Sequence, residues 1–281
     1  MIRILVAIAL AYAGLLVLVW LFQERIAFPA PRGRPPDPAG VGLPHGERIE
    51  LVTQSGVTLA GWFLRPRPGG RPTGNPAGPH GKPPRSPGLL WFYGNGENIA
   101  AIWPILREYQ PPGAALLVID YPGYGASGGR TTEAGLYEAA GAAYEALRAR
   151  PEVDPERIYV YGRSLGSAVA SYTAATYPVR GLILESPFTS AREMSRRHYG
   201  LFPAFIVRLG LDNLAAVSRI RCPLLVFQGT RDLLVPPDMS RRVAEAAPGP
   251  VELIRLEGAG HNDTYETAGG LYREKLWAFV R

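Results

Sequence analysis

The sequence predicts an α/β fold built on a doubly wound, mostly parallel sheet. From residue 46 onward, short apolar runs that end in glycine or a polar residue alternate with helix-like segments. Such alternation places a parallel sheet between two layers of helices. In addition, Ser164, Asp232 and His261 each follow one of the apolar runs. Doubly wound sheets carry their functional groups at the carboxyl ends of the strands, where these three residues would lie.

The first element is an uncharged apolar segment, ILVAIALAYAGLLVLVWLF, residues 4–22. It is long enough to cross the hydrocarbon core of a bilayer as a helix, and Trp20 and Phe22 suit the membrane interface. A cleaved signal peptide is the alternative, but such a peptide has a shorter apolar core and a small-residue cleavage site, whereas QERIAF follows here. We therefore predict a single-pass membrane anchor over residues 1–25. The flanking arginines leave its orientation open.

Two segments rich in proline and glycine interrupt the pattern. Residues 26–45 are typical of a semi-extended linker. Residues 66–87 are typical of a flexible surface insertion, since they carry too few apolar groups to pack. The rest of the chain, residues 46–281, is long enough for one large α/β domain that contains the insertion.

The first half of that domain is predicted from strand-like stretches and one helix. A hairpin turns at Ser55-Gly56 between two strand-like runs. Two continuous apolar runs follow, and both end at glycine, as buried parallel strands do. The next helix begins near Thr131 and Glu133 and ends before Pro151. These stretches are, in order, RIELVTQSGVTLAGWFL, GLLWFYG, AALLVIDYPGYG and TTEAGLYEAAGAAYEALRARP.

The second half continues the alternation. Four more strands are predicted from short apolar runs, with a small-residue helix after the first of them and helices at 237–246 and 264–279. The polar and aromatic stretch at 187–217 is predicted to form a short helical cap over the site. The four strand stretches are RIYVYG, VRGLILES, PLLVFQGTRD and VELIRLEGAGHND.

Composition excludes several classes of function. The net charge of +6 comes almost entirely from scattered arginines, since lysine occurs only at Lys82 and Lys275. No basic stripe is interleaved with aromatic residues, so no nucleic-acid partner is predicted. The single cysteine, Cys222, precludes an intrachain disulfide and is predicted to be a structural thiol. No metal-ligand spacing occurs, and GYGASGG lacks the lysine and hydroxyl residue of a phosphate-binding loop. We predict neither a metal nor a cofactor.

The segment IYVYGRSLGSAVA places a serine between two glycines where a strand turns into a helix. A serine hydroxyl is a weak nucleophile, so it must be exposed on the turn and deprotonated by a base. The glycines remove side chains that would collide there, and the start of the helix favours a developing oxyanion. We predict that His261 accepts the proton of Ser164 and that Asp232 orients the imidazole.

The segment GRSLG matches the G-x-S-x-G nucleophile elbow. With Asp232 in GTRD, His261 in GAGHND and the upstream DYPGYGASGG, the chain resembles the α/β-hydrolase family. It is most similar to the membrane-anchored Bem46-like branch, close to the serine aminopeptidase-like (S33-like) and ABHD17-like proteins, because QERIAFP follows the apolar segment. The resemblance covers nearly everything from Gln23 onward except the insertion. It implies an α/β-hydrolase fold with a short helical cap after one transmembrane helix.

The resemblance also implies an oxyanion hole made of two backbone N–H groups. One belongs to the residue after the nucleophile, Leu165. The other comes from a loop usually written H-G-N-A/G-x-N, which is YGNGEN here, and it falls on Asn95. Tyr93 stands where that motif has histidine, a change expected to alter loop packing rather than chemistry.

Other polar residues have alternative interpretations. Glu185, which ends LILES, is a rival acid for orienting the catalytic histidine. Asp263 is expected to cap the last helix, and Asp120 is expected to fix a loop. The remaining histidines of the ordered stretches, His45 and His198, are expected to be structural or exposed.

These features predict a membrane-anchored serine hydrolase that cleaves carboxylic ester or thioester bonds through an acyl-serine intermediate. The anchor and the small cap favour an acyl or lipid substrate. The large apolar residues of the cap are expected either to line an acyl pocket or to form the core of the cap itself. They are Phe188, Tyr199, Leu201, Phe202 and Phe205.

Two other functions remain open from the sequence. An aminopeptidase-like serine peptidase would need an acidic recess for the substrate ammonium, whereas the charge of the cap is largely arginine. A non-catalytic, membrane-tethered adaptor would use the same fold. The substrate, the oligomeric state and the side of the membrane are not set by the sequence.

Overall fold

The core of the molecule is an eight-stranded sheet. The computed structural model describes residues 1–67 and 85–281, so most of the insertion predicted at 66–87 lies outside the described residues. Across the sheet the strand order is β1-β2-β4-β3-β5-β6-β7-β8. The strands are β1 (Gly46–Val52), β2 (Thr58–Leu64), β3 (Ser86–Phe92), β4 (Ala115–Ile119), β5 (Val153–Arg163), β6 (Gly181–Glu185), β7 (Leu224–Gly229) and β8 (Val251–Leu256).

The pairing confirms the doubly wound, mostly parallel sheet predicted from the sequence. Strands β3 to β8 pair in parallel with one another. β1 and β2 form the predicted hairpin, and β2 joins the sheet antiparallel to β4. The hairpin turns at Gly56, whose φ of +82° is readily adopted by glycine. β4 and β6 are buried at every position, which explains their continuous apolar sequences.

Helices cover both faces of this sheet. The α-helices of residues 1–67 and 85–281 are α1 (Ile2–Ala27), α2 (Ile99–Tyr109), α3 (Glu133–Arg148), α4 (Leu165–Thr176), α5 (Ala191–His198), α6 (Asn213–Val217), α7 (Pro237–Ala246) and α8 (Thr264–Phe279). Successive strand residues point to opposite faces. Tyr161 of β5 hydrogen-bonds to Tyr272 of α8 at 3.0 Å, whereas a Cβ on Gly162 would lie 2.6 Å from Ala170 of α4. α8 and α4 therefore lie on opposite faces.

Helix α1 precedes the sheet and has a different character. Within residues 1–67 and 85–281 it alone is long and apolar enough to cross a membrane. Most of its side chains are exposed, although Gln23 is buried. Beyond it, the ring of Phe28 packs in the core, and the carbonyl of Pro31 accepts a hydrogen bond from the N–H of Gly125 at 2.8 Å. The segment predicted as a linker at 26–45 thus includes a stretch that packs on the domain.

The segment 187–217 contains α5, a 3₁₀ turn at Ala204–Ile206 and α6. Phe188 is buried in the core. Tyr199, Leu201 and Phe205 are 60%, 67% and 82% exposed, so the alternative in which such residues form the core of the cap is wrong for these three. The reason is the composition of α5, AREMSRRH, which offers Met194 as its one large apolar side chain and cannot enclose them.

Candidate active site

Ser164 lies on the sharp turn between β5 and α4. Its φ of +50° is rare for a residue that carries a Cβ. A Cβ on Gly162 would lie 2.1 Å from the carbonyl oxygen of Gly166, and a Cβ on Gly166 would lie 2.2 Å from that of Phe92. Any side chain at either position would prevent this turn from closing, which is the physical reason for the two glycines.

His261 lies between Ser164 and Asp232. The loop after β8 carries the histidine, and the loop after β7 carries the aspartate. The distance from His261 Nε2 to Ser164 Oγ is 3.1 Å, and that from His261 Nδ1 to Asp232 Oδ2 is 2.7 Å. Both distances are within hydrogen-bonding range. The fold thus brings together the three residues that the sequence predicts as nucleophile, base and orienting acid.

The carboxylate of Asp232 is fixed by its own loop. Its Oδ1 accepts hydrogen bonds from the backbone N–H groups of Leu234 and Val235 at 3.0 and 2.8 Å. The side chain is 1% exposed. Because one oxygen is held by the loop, the other is directed at the imidazole, where it can fix the tautomer and stabilise an imidazolium cation.

The loop after β3, which contains Asn95, lies against the start of α4. A Cβ on Gly166 would lie 2.6 Å from the carbonyl oxygen of Tyr93, so the two backbones nearly touch. Within residues 1–67 and 85–281, the backbone N–H groups of Leu165 and Asn95 donate no hydrogen bond. An oxyanion hole needs N–H groups that are free of other acceptors, and these two meet that condition.

Tyr93 stands where the H-G-N-A/G-x-N motif has histidine, and its side chain holds this loop against its neighbours. Its hydroxyl donates to Asp120 Oδ1 at 3.1 Å and accepts from the backbone N–H of Tyr121 at 3.1 Å. Burial raises the pKa of Tyr93 well above its usual value, so the hydroxyl stays protonated. Asp120 also accepts from the backbone N–H groups of Ile99 and Ala126. These contacts give Asp120 the loop-fixing position expected from the sequence.

Arg163, a residue that sequence reasoning did not select, connects three parts of the site. Its Nη2 donates to the carbonyl oxygen of His261 at 2.7 Å and to Asn262 Oδ1 at 2.9 Å. Its Nη1 donates to Glu97 Oε1 at 2.6 Å, and Glu97 Oε2 accepts from the N–H of Gly94 at 2.6 Å. The sequence does carry a signal for this pair: Arg163 is a charged residue inside GRSLG, and Glu97 is the acidic residue inside YGNGEN.

Glu185, the rival acid, does not contact the imidazole of His261. It is fully buried, and its carboxylate accepts hydrogen bonds from five side chains instead. They are Tyr161, Arg163, Thr264, Tyr265 and Tyr272. Burial, followed by the charge of Glu185, raises the pKa of the three tyrosines well above its usual value, so they remain donors. The geometry therefore makes Asp232 the partner of the histidine and Glu185 the partner of Arg163.

Asp263 does not cap the last helix with its side chain. It occupies the N-cap position of α8, but its Oδ1 accepts a hydrogen bond from the N–H of Gly260 at 2.5 Å. The expectation of a side-chain cap is therefore wrong, because the turn that carries the histidine competes for the same carboxylate.

Cys222 is partly buried, and burial raises the pKa of its thiol to about 11.

The two remaining histidines of the described chain lie outside the cluster. His45 Nε2 is 2.9 Å from Gln110 Oε1. His198, which ends α5 and is exposed, places Nε2 at 2.9 Å from the carbonyl oxygen of Leu234. The second contact joins the cap segment to the loop that follows Asp232.

The arrangement of the three side chains is suited to base-assisted attack by a hydroxyl. Within residues 1–67 and 85–281, no group of three or more His, Cys, Asp or Glu side chains could hold a metal ion. A groove of about 840 Å³ lies elsewhere, against α3, where Tyr137 stacks on Tyr172 at 3.9 Å between ring centroids. Its lining includes none of the three clustered residues, so it has no part in this chemistry.

Comparisons by sequence find hydrolases. A family model described as the alpha/beta hydrolase fold matches residues 87–206. An uncharacterized protein of Mycobacterium tuberculosis is 34% identical over 276 residues, covering 97% of this chain and 92% of that protein. The human alpha/beta hydrolase domain-containing protein 17B is 39% identical over 167 residues, covering 57% of this chain and 54% of the human protein.

Comparisons by structure find the same fold. An esterase of Pyrococcus furiosus superimposes with a TM-score of 0.69 at 19% identity, covering 89% of this chain and 98% of the esterase. An acetyl xylan esterase of Paenibacillus superimposes with a TM-score of 0.62 at 19% identity, covering 82% and 88% of the two chains. At such low identity these likenesses establish the fold alone.

Proposed function

Since the chain belongs to the α/β-hydrolase family, we propose that it is a membrane-anchored serine hydrolase of carboxylic esters or thioesters. Ser164 is the nucleophile, His261 the base and Asp232 the orienting acid. The observation that carries this proposal is the position of His261, 3.1 Å from Ser164 Oγ and 2.7 Å from Asp232 Oδ2. A histidine bonded to both groups can move a proton while its tautomer stays fixed.

In the first half of the reaction the acyl group is transferred to the enzyme. Ser164 Oγ attacks the acyl carbon, and its proton passes to His261 Nε2. The negative charge that forms on the carbonyl oxygen is stabilised by the N–H groups of Leu165 and Asn95. When the intermediate collapses, the bond from carbon to the leaving oxygen or sulfur breaks, and His261 returns the proton to that atom. An alcohol or thiol leaves.

In the second half, water replaces the leaving group. A water oxygen attacks the acyl carbon while His261 Nε2 takes one of the water protons. The bond between the acyl carbon and Ser164 Oγ then breaks, and the proton returns to Ser164. A carboxylic acid is released and the enzyme is restored, so no oxidant, metal or cofactor is consumed.

The membrane anchor belongs to the same proposal. Helix α1 has the length and composition of a membrane span, and Arg25 stands in its last turn. An enzyme tethered in this way meets substrates that are themselves held in a membrane. We therefore propose an acyl chain as the recognised part of the substrate, with an alcohol or a thiol as the leaving group.

The proposal is tested by hydrolysis of ester and thioester series of increasing acyl length, with the full chain in detergent micelles. Ser164→Ala is the control, because it removes a single hydroxyl and adds no atom that could disturb the fold. We expect turnover that rises with acyl length and disappears in the variant. Turnover by Ser164→Ala would refute the assignment of the nucleophile.

The same assay separates the other functions. Release of the amino-terminal residue from a peptide panel, without ester cleavage, would favour the peptidase. An unmodified, folded chain that cleaves neither class would favour the non-catalytic adaptor. The arginine-rich composition of the cap supports the ester substrate over the peptide, since a peptide ammonium group needs a carboxylate partner. The one acidic residue of α5, Glu193, is paired with Arg242 at 2.5 Å.

A further inference from the structure

Helix α1 has one face that packs on the rest of the molecule. Tyr12, Leu16 and Val19 are partly covered and Gln23 is buried, whereas residues between them are exposed. These positions recur at helical spacing and form a single stripe. The hydroxyl of Tyr12 donates to the carbonyl oxygen of Leu201 at 2.6 Å. The cap segment therefore lies along the second half of α1.

The contact between α1 and the cap is fixed near the C-terminal end of α1 by the buried side-chain amide of Gln23. Gln23 Oε1 accepts from the backbone N–H groups of Arg208 and Leu209 at 2.7 and 3.2 Å. The guanidinium of Arg208 stands 4.6 Å above the ring of Trp20, a cation–π contact at the position where an interfacial tryptophan is expected. These contacts hold the cap against α1 in one orientation.

The contact between Tyr12 and Leu201 fixes how deep the cap lies along α1. From Gln23 to Tyr12, α1 advances by about 16 Å at 1.5 Å per residue. A helix needs roughly 20 apolar residues to cross the hydrocarbon core. If α1 crosses a membrane, as the proposed function holds, Tyr12 lies well inside the hydrocarbon. Leu201, which contacts it, lies below the level of the lipid headgroups.

Several large apolar side chains of this region are exposed. We name as the cap rim five residues of the cap and of the loop after Asp232: Tyr199, Leu201, Phe205, Leu233 and Leu234. Leu201, Phe205 and Leu233 are 67%, 82% and 84% exposed. His198 joins the two parts of the rim through its contact with the carbonyl oxygen of Leu234. A contiguous apolar surface of this kind is costly in water and marks an interaction site.

The charges around the rim suit a membrane surface. Four arginines of the cap are exposed, namely Arg192, Arg196, Arg197 and Arg208. Arginine beside exposed apolar groups attracts anionic headgroups while the apolar groups enter the acyl region. Long arginine side chains can reach the headgroups from below that level. The cap thus has the apolar centre and the basic border of a membrane-inserting surface.

We propose that the cap rim inserts into the leaflet beside α1, so that an acyl chain passes from the lipid to Ser164 without crossing water. This inference rests on the proposed function for the identity of α1 and of the nucleophile. The occupant of the rim is the acyl region of a bilayer leaflet. The rim adjoins the site, since Leu233 directly follows Asp232, whose carboxylate contacts His261.

The experiment is depth-dependent fluorescence quenching on the full chain in phosphatidylcholine vesicles that contain phosphatidylglycerol. In a Cys222→Ser background, one cysteine is introduced by Phe205→Cys and labelled with an environment-sensitive dye. Leu10→Cys on α1 is the lipid control, since Leu10 is exposed. Val52→Cys on β1 is the aqueous control, since Val52 is 65% exposed on a distant edge strand. The quenchers are a lipid with a nitroxide on its acyl chain and aqueous iodide.

We expect the label at position 205 to lose fluorescence to the nitroxide lipid as the label at position 10 does, and to be protected from iodide. Quenching of position 205 by iodide alone, with position 10 quenched by lipid, would overturn the insertion of the cap and leave the anchor intact. If both positions behave like position 52, the anchor and the insertion both fail. If position 205 alone is quenched by lipid, the cap meets lipid without α1, and both the anchor and the insertion beside α1 are overturned.

Discussion

The guanidinium of Arg163 donates a hydrogen bond to the carbonyl oxygen of His261 at 2.7 Å. Arg163 immediately precedes Ser164 on the elbow, so one side chain connects the loop of His261 to the turn of Ser164. Its other nitrogens hold Glu185 and Glu97. The distance between Ser164 and His261 is therefore constrained by a nearly buried side chain as well as by the loops themselves.

Replacing Arg163 by lysine tests this positioning role. Lysine keeps the charge opposite Glu185 and Glu97 but cannot reproduce the planar fork of donors. We expect kcat on a short ester to fall by about tenfold to hundredfold, the order expected for a small misplacement of catalytic groups. KM and the melting temperature should change little. Arg273→Lys, in a surface pair with Glu108, is the matched control and should leave kcat unchanged.

An unchanged kcat in Arg163→Lys would show that the arginine stabilises the fold without positioning the base. A large fall in melting temperature with an equal fall in the amount of active protein would lead to the same conclusion. Active-site titration with a fluorophosphonate separates these outcomes, because it counts the competent serines before rates are compared.

Asp232 and Glu185 should respond differently to removal of their charge. We expect Asp232→Asn to lower kcat by about 10⁴, the size of effect that loss of imidazole orientation has in a serine protease, with little change in stability. Glu185→Gln leaves Arg163 facing a buried amide, and breaking a buried pair costs about 3–5 kcal/mol. The loss should appear as a lower free energy of unfolding of Glu185→Gln in urea. A larger loss of kcat in folded Glu185→Gln than in Asp232→Asn would make Glu185 the orienting acid.

Gly162→Ala should prevent the elbow from closing. The added Cβ would lie 2.1 Å from the carbonyl oxygen of Gly166, and such overpacking against backbone costs about 3 kcal/mol or more. Gly270→Ala on α8 is the control, since its Cβ would meet nothing within 4 Å and alanine favours a helix by about 0.5–1 kcal/mol. Thermal unfolding followed by circular dichroism compares them. A Gly162→Ala variant as stable as the parent would contradict the elbow geometry.

The thiol of Cys222 should be unreactive under ordinary conditions. Burial raises its pKa to about 11, and the thiolate is the reactive form. The thiolate fraction is therefore small at mildly alkaline pH and grows as the pH approaches that value. We expect slow alkylation by iodoacetamide, measured by mass spectrometry, and full activity afterwards. Val52→Cys supplies an exposed thiol as the fast control. Rapid modification of Cys222 with loss of activity would contradict this.

The strand and helix pattern could be predicted because each element has a local signature. The run AALLVIDYPGYG contains β4, which is buried at every position. Gly162, two residues before the serine, is explained by a contact of 2.1 Å. The clustering of Ser164, Asp232 and His261 follows from their places after parallel strands. Local rules were enough wherever the sheet imposed the geometry.

Long-range contacts could not be predicted in this way. Arg163 meets His261 across 98 residues of sequence, and Tyr12 meets Leu201 across 189. Neither pair has a local signature, because each depends on how loops and the cap settle on the finished sheet. The exposure of Phe205 is of the same kind, since an aromatic residue in a short segment is expected to pack unless the lack of partners is known.

The most direct test of the account is covalent labelling of the full chain in detergent micelles with a fluorophosphonate, followed by intact mass measurement and peptide mapping. We expect one adduct, on Ser164, that is absent in Ser164→Ala and forms much more slowly in His261→Asn. An adduct on another residue, or labelling that persists in Ser164→Ala, would contradict it.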